Sequence, residues 1–185
     1  MVQNIQTILD KWLEIDFYYV ADKIGFIKKD VLPDKKLIME TIRCLDYITT
    51  RRKEEEKNIT ITLIALMWTY IDKKEYDIKA IVIKFLSRIG YPTSAIIVDD
   101  MFDKDECKFS AIDSLIDQIT IGFNQMKNEV NIGEHTLLLT DFQKRIWDVM
   151  DNEKVIGISA PTSAGKSYVI LMKVIQRLNV ERLDV

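Results

Sequence analysis

The 185-residue chain has little cysteine, proline, glycine or histidine, and each shortage closes off a class of protein. Its two cysteines, Cys44 and Cys107, stand far apart with no C-x-x-C spacing, which excludes a disulfide framework and a cysteine zinc site. Reduced structural thiols and a cytoplasmic location are the expectation. The one histidine, His135, cannot support a histidine-rich metal cluster and reads as a loop residue beside Glu134. Only three prolines and six glycines interrupt the chain, so long stretches carry no helix breaker. No charge sign dominates: 26 Lys+Arg face 29 Asp+Glu, a net charge of −3. Residues 1–135 hold 19 basic and 23 acidic side chains, and residues 136–185 hold seven and six. Neither part offers the basic surface that drives salt-dependent binding to nucleic acid. A long apolar run is missing too. The longest uncharged stretch, Asn58 to Ile71, is about two-thirds of a bilayer span and includes Thr60, Thr62 and Thr69. A buried helix is expected there and no membrane partner. Asp10 and Glu14 interrupt the N-terminal apolar pattern, which is therefore not a signal peptide.

What remains is 48% hydrophobic and 30% charged residues, the composition of a folded and mainly helical protein. Apolar side chains recur at helical spacing through Ile5, Ile8, Leu9, Trp12 and Leu13, and again through Phe17, Val20, Ile24 and Ile27. Pro33 precedes a further stripe, Leu37, Ile38, Ile42, Leu45 and Ile48. The cleanest is Ile78, Ile81, Val82, Phe85, Leu86 and Ile89, with Gly90 and Pro92 as the stop. Ser110 and Asp113 are expected to open another helix, whose stripe is Leu115, Ile116, Ile119 and Phe123. All these stripes are expected to form core. Arg51-Arg52-Lys53 followed by Glu54-Glu55-Glu56 reads as a solvated, self-compensated connector whose charges pair on one helix face, not a nucleic-acid site. The acidic run Asp99-Asp100 and Asp103 to Glu106 lacks the spacing of a calcium loop and reads as an exposed turn. The polar segment Lys127 to Thr136 marks a boundary. It sets a helical leader domain at 1–130, a linker at 131–136 and a different texture over 137–185.

That last part carries the chemistry. Ala160-Pro161-Thr162-Ser163-Ala164-Gly165-Lys166-Ser167 has the pattern [AG]-x4-G-K-[ST] of a phosphate-binding loop. An apolar run, Val155-Ile156-Gly157-Ile158, precedes it and is expected to be a strand. Tyr168, Val169, Leu171, Met172, Ile175 and Leu178 follow at helical spacing. A strand, a loop of small residues and a helix let backbone N–H groups and the positive helix end face the same phosphate oxygens. Upstream, Thr140-Asp141-Phe142-Gln143 opens a helix through Ile146, Trp147 and Met150. Thr140 and Gln143 have the spacing of a capping box, so Gln143 has a structural role open to it as well as a binding one.

The order L-T-D-F-Q-K-R-I-W and then A-P-T-S-A-G-K-S resembles the opening of a superfamily 2 helicase motor, most closely the superkiller-like DExH helicases. The likeness spans residues 137–178. A long helical leader ahead of such a motor is also similar, more loosely, to the helicase subunit of Hachiman-type antiviral defence systems. The resemblance implies a mainly α protein in which a helical domain is followed by the start of a RecA-like α/β motor over 137–185: helix, strand, phosphate loop, helix. It implies ATP and Mg2+ as ligands. Lys166 would contact the β- and γ-phosphates, Ser167 would ligate magnesium, Thr162, Ser163, Ala164 and Gly165 would supply backbone donors, and Gln143 would read adenine. The acidic hydrolysis motif, the second-lobe arginines and the nucleic-acid motifs of that family are not found in residues 1–185. The chain therefore reads as the N-terminal part of an ATP-dependent helicase or translocase that would be inactive alone. Nucleic acid would be engaged by later motor motifs and a protein partner by the leader. The alternative is a helical interaction module with an inert motor remnant.

Overall fold

Trp12 organises the first unit. Its indole N–H donates to Thr41 Oγ1 at 2.8 Å, and Thr41 in turn donates to the Leu37 carbonyl at 2.7 Å, so the polar edge of a fully buried ring is satisfied. The computed structural model describes residues 5–29, 31–51, 53–72, 77–103, 108–153, 155–161 and 164–183. These are mainly helical, with eight α-helices and one two-stranded sheet among the described residues, in two compact units, Met1–Ile89 and Gly90–Val185. No helix among them is long and apolar enough to cross a membrane.

The first unit holds α1 (Ile5–Lys23), α2 (Lys35–Arg51), α3 (Lys57–Tyr70) and α4 (Ile78–Arg88). Ile8, Trp12 and Ile15 bury one face of α1, Leu37, Ile38, Leu45 and Ile48 that of α2, and Ile78, Val82, Phe85 and Leu86 that of α4. Asp34 caps α2 by accepting from the Leu37 amide at 2.7 Å, one residue after Pro33. In α3 the threonine hydroxyls of Thr60, Thr62 and Thr69 donate to carbonyls one turn back, which lets an uncharged helix carry them. Tyr70 donates to Asp16 at 2.5 Å, and burial together with that carboxylate pushes its phenol well above the ordinary range. Cys44 is buried, and burial, helped by Glu56, raises its thiol.

Two expectations for this unit are corrected. Leu13, Phe17, Val20 and Ile24 do not form core: they are exposed, because α1 turns Ile15 and Ala21 inward instead. The charged run connects two helices, as expected, but does not share one helix face. α2 stops at Arg51, a 3₁₀ turn spans Glu54–Glu56, and α3 starts at Lys57, while Arg51 stacks on Tyr47 and donates to its hydroxyl at 2.8 Å. Arg52 lies outside the described residues.

The second unit runs α5 (Pro92–Val98), α6 (Leu115–Asn128), β1 (Glu129–Ile132), β2 (His135–Leu138), α7 (Asp141–Asn152) and α8 (Lys166–Leu183). β1 and β2 pair antiparallel, with Val130 opposite Leu137 and Ile132 opposite His135, across a turn at Gly133-Glu134. Residues 131–136, expected as a linker, thus carry most of this hairpin. Its core joins Val130, Ile132 and Leu139 to Ile146 and Trp147 of α7 and Val169 of α8. This apolar cluster is what seats the two helices that carry the candidate site.

Four further expectations differ here. Ser110 does not cap α6, which Ser114 does by accepting from Asp117 N. Asp99 claims Ser110 instead, accepting from its N–H and its hydroxyl at 2.6 Å each and from Met101 N at 3.2 Å. Asp99 is accordingly buried, not part of an exposed turn, and Cys107 and most of the acidic run lie outside the described residues. Leu115, Ile116, Ile119 and Phe123 face solvent, while Ile121, Asn124, Gln125 and Asn128 are buried. The inward Asn128 is tolerated because its side-chain amide donates to Asp141 at 2.8 Å, while its backbone carbonyl accepts from Leu139 N at 2.9 Å. Finally, Val155 to Ile158 are not a strand. They alternate, with Ile156 and Ile158 half-buried and Val155 exposed, but no strand among the described residues pairs with them, the one sheet being β1 with β2.

Candidate nucleotide site

α7 begins where Thr140 leaves extended backbone, at ψ 161°, and caps the helix. Gln143 N donates to Thr140 Oγ1 at 3.3 Å and Thr140 N donates to Gln143 Oε1 at 3.0 Å, so the capping box is formed. Asp141 is fixed from three directions. Its amide donates to the Gly90 carbonyl at 3.1 Å, its carboxylate accepts from Asn128, and Gly90, at φ +82°, leaves no room for a Cβ, which would fall 2.0 Å from that carboxylate. The start of α7 is therefore rigidly placed by residues far away in sequence.

α8 begins at Lys166, directly after the small-residue loop. Gly165 has φ +73°, a left-handed conformation that favours glycine, and turns the chain into the helix. A Cβ on Gly165 would lie 2.4 Å from Gln143 Nε2. The fold thus lays the Gln143 amide against the glycine of the loop, some twenty residues on. The capping box occupies one lone pair of Oε1 and leaves the other, with the Nε2 donors, to the loop side. Lys166 Nζ turns back and donates to the Pro161 carbonyl at 2.8 Å and to the Ala160 carbonyl. Ala164 N donates to Pro161 O at 3.1 Å, closing the loop on itself, and Ser167 is exposed in the first turn of α8.

Of the residues singled out in the sequence, Gln143, Ala164, Gly165, Lys166 and Ser167 are brought together at the start of α8; Thr162 and Ser163 lie outside the described residues. The donor set suits a phosphate chelated to magnesium. Lys166 is an ammonium held on carbonyls it can exchange for phosphate oxygens, Ser167 is the hydroxyl that would ligate the metal, and Gly165 keeps the loop free of a side chain. A shallow groove of about 360 Å³ opens on another side of α7, lined by Phe142, Ile146 and Val149 with Ile156 and Ile158. It is the apolar flank that an unpaired 155–159 segment leaves uncovered.

Sequence reasoning missed the far end of the pair. Lys173, one of the most deeply buried side chains described, reaches Asp151 at 2.6 Å and lies 4.3 Å from the centre of the Trp147 ring. Arg177 donates to the Met150 carbonyl and Gln176 to the Asn131 carbonyl at 3.1 Å. The signal was a lysine standing between Val169, Met172 and Gln176 on the inner side of α8. No protein-family model matches this chain, and no characterised protein or solved structure was found to match it.

Proposed function

We propose that residues 137–183 are the ATP-binding opening of a RecA-like motor of the superfamily 2 helicase type, with Lys166 and Ser167 holding a magnesium-chelated triphosphate and Gln143 reading adenine. The observation that carries this reading is the contact of the Gln143 amide with Gly165, which unites the upstream glutamine and the phosphate loop into one site. Two features support it further. The positive ends of α7 and α8 converge on that site, which favours an anion. α8 is also apolar on its outer side, through Leu171, Val174, Ile175 and Leu178, as expected of a motor helix packed between layers. On this reading the chain binds nucleotide without hydrolysing it, and its parent activity is ATP-driven movement on nucleic acid.

Titration of the isotopically labelled 185-residue chain with MgATP, followed by NMR, tests the reading. Shifts should concentrate on Ala164 to Ser167 and Gln143 and should be lost in Lys166→Ala, whose charge-assisted contacts are worth on the order of 1.5–3 kcal/mol each. Shifts scattered over the surface, or unchanged in Lys166→Ala, would refute it. The second reading, an interaction module with an inert motor remnant, draws on the exposed Leu115, Ile116, Ile119 and Phe123 of α6. It requires that no nucleotide response centred on Lys166 be seen.

A further inference from the structure

α7 and α8 run side by side in the same direction, and three of their pairings share one offset, while Arg177 donates further along to the Met150 carbonyl. Gln143 meets Gly165 and Asp151 meets Lys173, each pair 22 residues apart, and between them Trp147 and Val169, also 22 apart, share one core. The first level is the candidate site. The middle level is apolar and could slide, since neither Trp147 nor Val169 has a directional bond to the other. The third is directional: Lys173 Nζ reaches both carboxylate oxygens of Asp151, at 2.6 and 2.7 Å, with the ammonium beside the Trp147 ring. Lys173 is almost wholly buried, whereas the Asp151 side chain is half exposed. Burying an ammonium for one half-solvated partner adds little to stability, and an apolar residue of like volume generally serves as well or better. What an apolar residue lacks is a preferred register. A buried polar pair fixing the offset of two helices is the best-attested use of such an arrangement.

We propose that the Lys173–Asp151 pair is a register lock between α7 and α8, which makes Lys173 a positioning residue for the base-reading amide of Gln143. The lock works through rigid helices: two turns of α7 separate Asp151 from Gln143, and two turns of α8 separate Lys173 from Gly165. An offset error at the lock therefore arrives undiminished at the site. The lysine acts on base recognition and not on phosphate binding, because the loop's own bonds, Lys166 to Pro161 and Ala164 to Pro161, do not involve α7. The base-selection part of this inference rests on the nucleotide reading above; the register part does not.

The test is NMR on the full chain, comparing the parent with Lys173→Met and with Asp151→Glu, the conservative variant that keeps a carboxylate. Without ligand, Lys173→Met should stay folded, melting within about 3 °C of the parent, while the Gln143 side-chain amide and Gly165 N–H signals move or broaden. Asp151→Glu should leave them near the parent positions. In titrations, inorganic tripolyphosphate should bind Lys173→Met within twofold of the parent, and preference for ATP over GTP should fall threefold or more. Unmoved Gln143 and Gly165 signals, or loss of the fold in Lys173→Met, would overturn the lock. Displaced signals with tripolyphosphate binding indifferent to Lys166→Ala would uphold the lock and sink the nucleotide reading instead. An unchanged ATP preference beside intact Lys166-dependent binding would overturn the assignment of Lys173 to base positioning.

Discussion

Gly165 has two reasons to be glycine, and they can be separated by experiment. Its φ of +73° costs an L-residue about 1–2 kcal/mol, and any Cβ would push aside the Gln143 amide 2.4 Å away. Gly165→Ala is therefore expected to lower stability by about that amount and to weaken MgATP binding more than tripolyphosphate binding, as NMR titration would show. Equal weakening of both would place the damage in the loop alone. At Asp99 the balance is electrostatic. Burial by itself would raise its carboxyl, but the bonds from the Ser110 hydroxyl and from the Ser110, Met101 and Ala111 amides outweigh burial and hold it below the usual carboxylate range. A lowered folded value means the stabilising contribution is complete at neutral pH and is lost as the pH falls through that value, below about pH 4. Ser110→Ala should cost about 1–2 kcal/mol at neutral pH. That difference from the parent should shrink on acidification, measured by denaturant unfolding at several pH values; a gap independent of pH would remove the charge from the explanation.

Among the elements, α7 is the one whose sequence served two purposes at once. The capping box was visible as Thr140-x-x-Gln143, and the structure forms it, yet the same glutamine lies against Gly165 of the small-residue loop. Gln143→Ala should thus show two effects with different readouts. Loss of the box should lower the melting temperature in proportion to about 1 kcal/mol, and loss of the amide should reduce the preference for ATP over GTP. Thr140→Ala supplies the control: it should reproduce the stability loss and leave base preference within twofold. If both variants changed preference equally, Gln143 would act only through the helix start. The hairpin shows the opposite case. Residues 129–138 are polar enough to read as a break, and only the pairing of Glu129–Ile132 with His135–Leu138 reveals a sheet that buries Val130 and Ile132. Short strands carry too few residues for their period to stand out.

For the whole molecule, protection should follow burial and bonding, not chain position. Val155 to Ala160 have no ladder, with Val155 89% exposed, so their amides should exchange with solvent within the fastest class. Protection should be greatest in α2 and α4, where Leu45, Val82 and Ile83 are almost wholly buried, and intermediate in α8 around Val169. Slow exchange at Ile156 and Ile158 would mean that this segment is paired in solution. The division of the chain at Ile89–Gly90 carries its own expectation: limited proteolysis should spare the α2–α4 core, and early cuts within Val82–Leu86 would contradict it.

The sequence by itself determined that the protein is mainly helical, where α2 and α4 bury their stripes, and which residues form the phosphate-loop pattern, because periodicity, capping and small-residue loops are local chemistry. Tertiary structure decided the rest. Whether Phe17 or Phe123 is core or surface depends on which face of an amphipathic helix finds a neighbour, and that neighbour is distant in sequence. Ser110 could cap a helix or bind Asp99, and packing brought Asp99. The approach of Gln143 to Gly165, and of Lys173 to Asp151 beneath Trp147, needs two helices docked on the hairpin core. Local preference is written residue by residue, but a contact across twenty-two residues exists only once the apolar surface between those helices has been removed from water.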